Sequence, residues 1–75
     1  MDKYEIAQSV KNNILTLDNS ISKLKYIINQ TADPMLRCEL KEELEELISL
    51  RNSLKALVVN IIEYKKPQND QSFTV

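Results

Sequence analysis

Five glutamates within eight positions, Glu39, Glu42, Glu43, Glu45 and Glu46, are the densest group of chemically capable side chains in the sequence. Carboxylates three and four apart lie on adjoining turns of a helix, where they can hold a hard cation, accept protons or attract a basic partner. The first two roles need further ligands and a concave site, and the composition supplies little toward either. There is no histidine, no glycine and a single cysteine, Cys38. No thiol–imidazole pair and no zinc-type Cys/His spacing can therefore be written. Without glycine there is no phosphate-cradling loop, nucleotide fingerprint or calcium-loop turn. The reading is a non-enzymatic chain with no catalytic, metal or cofactor-binding residue. Cys38 reads as an ordinary helix residue near a turn. The glutamates read first as a solvated flank at the start of a helix, where the helix dipole favours negative charge. The sharper alternative is an acidic patch, Glu39, Glu42, Glu43, Glu45 and Glu46, offered to a basic partner protein.

Seventy-five residues with a formal net charge of −1 make one domain near the lower limit for a self-sufficient core. The balanced charge is unlike the basic excess of most nucleic-acid binders. Met1-Asp2-Lys3-Tyr4-Glu5 lacks the basic and apolar regions of a secretory signal, and the longest apolar cluster, Leu57 to Ile62, is interrupted by Asn60. One cysteine suits a reducing compartment, so the expectation is a cytoplasmic protein without a membrane span. Richness in Lys, Asn and Ile, with the small size, fits coding by a phage or mobile element.

The elements that must carry these residues follow from two apolar ladders interrupted only at Thr31-Ala32-Asp33-Pro34. Asp2 with Glu5 three residues on forms a capping-box pattern, and a heptad then places Ala7, Ile14, Ile21 and Ile28 at position a with Val10, Leu17 and Leu24 at d. Ile6 and Ile27 widen that stripe at g. Pro34 disfavours helical angles at Asp33, which makes Asp33 a good N-cap and Pro34 a good first helical residue. The second ladder has Leu40, Leu47, Leu54 and Ile61 at a, Leu36, Leu50, Leu57 and Tyr64 at d, and Leu44 and Val58 on a flanking e row. The spacing predicts helix 1 over about 3–30, a turn at 31–33, helix 2 over about 34–66 before Pro67, and a disordered tail over 67–75. Asp18-Asn19-Ser20 favour caps and turns and offer a rival reading in which helix 1 breaks in two; continuity is preferred because the heptad keeps its phase.

A turn at 32–33 makes facing residue numbers sum to about 65, bringing Leu24 to Leu40, Ile21 to Leu44, Leu17 to Leu47, Ile14 to Leu50 and Val10 to Leu54. The same rule sets Lys23 and Lys25 beside Glu39 and Glu42, and Lys65 and Lys66 near Asp2. Stripes three rows wide are broader than a two-helix contact seals. The expected fold is therefore all-α, an antiparallel helical hairpin that self-associates into a four-helix bundle, most simply as a homodimer. Its core would comprise Val10, Ile14, Leu17, Ile21, Leu24, Ile28, Leu36, Leu40, Leu44, Leu47, Leu50, Leu54, Leu57 and Ile61. Leu15, Ile48, Val59 and Ile62 point away from the seam in this reading. The open end, with Tyr4, Ile6, Val58, Val59, Ile62 and Tyr64, forms a candidate partner surface.

In predicted architecture the chain resembles the plasmid copy-number regulators, small dimeric helical hairpins that bind paired RNA along a helix face. No residue motif is shared, so no functional residue is carried over. Outward amides and hydroxyls on helix 1 suit such contacts, but only Lys11, Lys23 and Lys25 would supply charge there. Ser72-Phe73-Thr74-Val75 matches, in its alternate apolar positions, a strand added to a PDZ-type groove. The favoured expectation is a small protein–protein interaction module, an accessory regulator, adaptor or inhibitor acting as a helical homo-oligomer. An RNA- or DNA-binding hairpin dimer and a structural scaffolding component are the alternatives.

Overall fold

Asp2 starts the first helix. Its Oδ1 accepts from the Glu5 backbone N–H at 2.9 Å, while Glu5 Oε1 accepts from the Asp2 N–H at 3.1 Å. Two of the N–H groups that a helix leaves unpartnered at its start are thereby satisfied. From this cap the computed structural model, which describes residues 1–63, runs α1 as Lys3–Gln30 without a break at Asp18-Asn19-Ser20. Thr31 ends α1: its N–H donates to the Ile28 carbonyl at 3.2 Å and its Oγ1 to the Ile27 carbonyl at 2.7 Å.

The chain reverses through Thr31, Ala32 and Asp33. Both cap residues, Thr31 and Asp33, have extended backbone angles, and no described residue has positive φ. A connection of this kind needs no glycine. Asp33 Oδ1 accepts from the Met35 N–H at 3.1 Å, Pro34 occupies the first turn, and α2 runs Pro34–Ile62. Within the described residues helix 2 ends at Ile62. Glu63 closes it as a turn residue whose N–H reaches the Val59 carbonyl at 2.9 Å. The expected continuation over 64–66, the tail and its PDZ-like ending lie outside the described residues.

The fold is all-helical, an antiparallel hairpin of these two helices. No described helix is long and apolar enough to cross a membrane. On α1 the a row, Ala7, Ile14, Ile21 and Ile28, is buried throughout, and Val10, Leu17 and Leu24 at d are half-buried. The seam on α2 is rotated from the one expected. Its a row is half-buried, and it is completed by the e row, Arg37, Leu44, Arg51 and Val58, whereas Leu36, Leu50 and Leu57 at d are exposed. The physical reason is visible in the two rows. The d row contains Glu43, whose burial would strand a charge, while Arg51 in the e row finds Asp18 on α1 at 3.3 Å. The tightest packing lies toward the open end, where Ala7, Ile14 and Val58 form a cluster flanked by Val10, Leu54, Ile61 and Ile62. Ile14 therefore packs with Val58 in this cluster, and Leu50, its expected partner, is half exposed.

Candidate interaction surfaces

The rotated seam gives the hairpin two broad sides of different character. Each residue advances a helix by about 100°, so the e and b rows of the heptad fall on one side of the seam and the d and g rows on the other. In an antiparallel pair the e rows of both helices share a side, as the Asp18–Arg51 contact between two e positions shows.

The e/b side is basic. It carries Lys11, Lys25, Arg37, Lys41, Arg51 and Lys55, with Asp18 as its one acid. Asp18–Arg51 is the only ion pair among the described residues, so Lys23 and Lys25 do not pair with Glu39 and Glu42 as the register rule suggested. The cause is again the rotation: Lys25 lies on the basic side, while Glu39 at g and Glu42 at c lie round the far flank of α2. Near the open end this side holds an open groove of about 490 Å³. Ile14 and Val58 form its floor, Leu15 and Val59 its walls, and Lys11 and Lys55 its two rims, with Gln8 beside them. Leu15 is 61 % and Val59 51 % exposed. Near the turn a second hollow, of about 460 Å³, is lined by Arg37, Lys41, Pro34, Ala32 and the free, exposed Cys38.

The d/g side is apolar and acidic. Ile6 and Ile27 on α1 and Leu36, Leu50 and Leu57 on α2 are all exposed there, between 39 % and 49 %. Glu39, Glu43 and Glu46 accompany them on the turn-proximal half of α2. Glu42, Glu45 and Glu46, with Ser49, line a shallow hollow on the back of α2. The five glutamates of the expected acidic patch are therefore spread over the d/g flank and the back of α2, all exposed.

The expected partner surface at the open end does not form one patch. Val58 is only 7 % exposed and belongs to the cluster inside the hairpin, so it offers nothing to a partner. Ile62 is half-buried against the same cluster, and Ile48 is also half-buried. Tyr4, Ile6 and Val59 are exposed, but Ile6 lies about half a turn round α1 from Leu15, which shares the groove with Val59. Tyr64 lies outside the described residues. Lys65 and Lys66, expected near Asp2, also lie outside the described residues, and Lys3 brings a cation to the open end. Its Nζ donates to the Ile62 carbonyl at 3.0 Å, placing a cation at the C-terminal end of α2. Its ammonium also sits 5.4 Å from the Tyr4 ring centre.

Of the expected self-association core, the d/g rows contribute Leu36, Leu50 and Leu57 as exposed side chains. Val10, Leu17, Leu24, Leu40, Leu44, Leu47, Leu54 and Ile61 are half-buried, and Ile14, Ile21 and Ile28 are buried within the hairpin. Inspection of either helix alone misses the basic side, because its cations are divided between the helices: Lys11 and Lys25 on α1, and Arg37, Lys41 and Lys55 on α2, with Arg51 at the seam. The signal was present in the e and b columns of both heptads read together. Among the described residues no group of three or more His, Cys, Asp or Glu side chains is placed to hold a metal ion. No protein-family model, curated protein or solved structure matched the chain.

Proposed function

We propose that this chain is a small, non-enzymatic protein–protein interaction module that works as a homodimer, two hairpins joining through their d/g sides into a four-helix bundle. The observation that carries this reading is the row of exposed Leu36, Leu50 and Leu57 beside Ile6 and Ile27 on one side of the molecule. Each of these side chains forgoes roughly 1 kcal/mol of burial while half exposed. A second copy covers them without any new sequence, and two-fold dimers are the commonest oligomers.

Charge selects the arrangement of the two copies. Glu39, Glu43 and Glu46 occupy only the turn-proximal half of this side. A parallel dimer would bring the two sets of glutamates together, whereas an antiparallel one sets each against the open-end half of its mate. Leu50 lies within a turn of the middle of α2, so in the antiparallel dimer it sits close to the two-fold axis. An accessory regulator or adaptor in the cytoplasm fits such a particle, which has no histidine for acid–base work and keeps its basic sides outward.

Sedimentation of the purified chain tests the dimer directly. The wild-type chain is expected at twice the monomer mass, and Leu50→Glu, which puts two charges at the axis, at the monomer mass with its helicity retained. In a Cys38→Ser background, Leu50→Cys should cross-link to its mate under mild oxidation. A folded wild-type monomer, or a dimer indifferent to both changes, overturns the reading.

A further inference from the structure

The basic side has a layout that the dimer does not use. Lys11 and Lys25 are fourteen residues apart on α1, and Lys41 and Lys55 are fourteen apart on α2. Because the helices run antiparallel, the open end carries the pair Lys11 and Lys55, and the turn end carries Lys25 and Lys41 with Arg37. The two cationic groups stand about 21 Å apart along the hairpin. Between them the charge is internally neutralised by Asp18–Arg51, with Leu15 and Ile48 as apolar neighbours, and the apolar groove lies at the level of Lys11 and Lys55, with Val59 one turn nearer the open end. None of Lys11, Lys25, Arg37, Lys41 and Lys55 has an ion-pair partner among the described residues.

We infer that this side docks an acidic amphipathic helix from a partner protein, laid along the groove between α1 and α2 as a third helix. A length of about 21 Å corresponds to about four helical turns, so the occupant carries carboxylates four turns apart on its flanks and an apolar stripe that runs between them and past the open-end pair. Its apolar side chains fill the groove over Ile14 and Val58, and its carboxylates meet Lys11 and Lys55 at one end and Lys25, Arg37 and Lys41 at the other. A nucleic-acid duplex matches the cations but sets phosphates against Leu15 and Val59, the two exposed apolar residues of the groove. The helical occupant satisfies both the charge and the apolar walls. This inference rests on the chain being a protein-binding module, and it is independent of the dimer because the basic side lies opposite the d/g side.

The probe is a fluorescent synthetic helix with leucines at i, i+4, i+7 and i+11 and glutamates at both ends, compared with a peptide of the same composition in scrambled order. The full chain should bind the patterned peptide at least about tenfold more tightly than the scrambled one, and more weakly as salt rises. Lys11→Glu with Lys55→Glu should remove that preference and transfer it to a version of the peptide with lysines at one end and glutamates at the other. Leu15→Ser should weaken binding without changing the charge preference. Equal binding of patterned and scrambled peptides, or an unchanged affinity in the Lys11/Lys55 variant, overturns the inference. So does preferential binding of a short RNA or DNA duplex, or of phosphatidylserine vesicles, offered in the same assay. Sedimentation of the same wild-type sample separates the two readings: a wild-type monomer that still selects the patterned peptide refutes only the dimer, and a wild-type dimer that does not select it refutes only the docked helix.

Discussion

Asp18 Oδ1 lies 3.3 Å from Arg51 Nη1, joining the middle of α1 to the middle of α2, and Arg51 Nε is buried beside it with no hydrogen-bond partner. The pair joins the e rows of the two helices across the seam. Asp18 is a poor residue for a helix interior, and its placement follows from Arg51 rather than from local propensity.

The unpartnered Nε makes the pair a poor source of stability. Arg51→Met keeps much of the aliphatic volume, removes the orphaned donor and leaves Asp18 exposed enough to be hydrated. It is expected to change unfolding free energy by less than about 0.5 kcal/mol in either direction. Arg51→Ala also loses the packing of the stem and should destabilise by about 1 kcal/mol. Urea titrations followed by circular dichroism measure both. A loss of several kcal/mol in Arg51→Met would show the ion pair to be a principal support of the fold.

Val58 and Leu57 are neighbours in sequence with opposite duties. Val58→Ala opens space in the cluster with Ala7 and Ile14 and should cost the hairpin about 1–2 kcal/mol. Leu57→Ala should leave the hairpin helical and weaken self-association instead, visible as a rise in the dimer dissociation constant on dilution. Ile62→Ser should also destabilise the hairpin, because Ile62 packs against the same cluster.

Both helix starts depend on aspartate. Asp2→Ala and Asp33→Ala each remove the acceptor for a first-turn N–H and should cost about 1 kcal/mol apiece. Lys3→Ala acts at the opposite terminus, on α2. Losing the Lys3–Ile62 contact should speed amide exchange in the last turn of α2 while leaving its centre protected. Uniform loss of protection along α2 would mean that Lys3 supports more than the end it touches.

Most of the secondary structure was legible in the residues. Asp2 with Glu5, the Asp33-Pro34 pair and the a row of α1 need only local geometry and a 3.6-residue period to be read. The seam of α2 was not legible. Its d and e rows are both leucine- or valine-bearing, and the choice between them turns on Glu43 and on a partner for Arg51 that sits 33 residues away.

The amino-acid order alone thus determined two helices, their caps and the existence of apolar stripes too broad for one contact, because each of these depends on residues within a few turns of one another. Only the tertiary structure decided which stripe is sealed and which is left open, and so divided the surface into an apolar, acidic side and a basic, grooved one. That division comes from the rotation of one helix about its axis, a quantity set by the sum of contacts between two distant segments and by no single position in either.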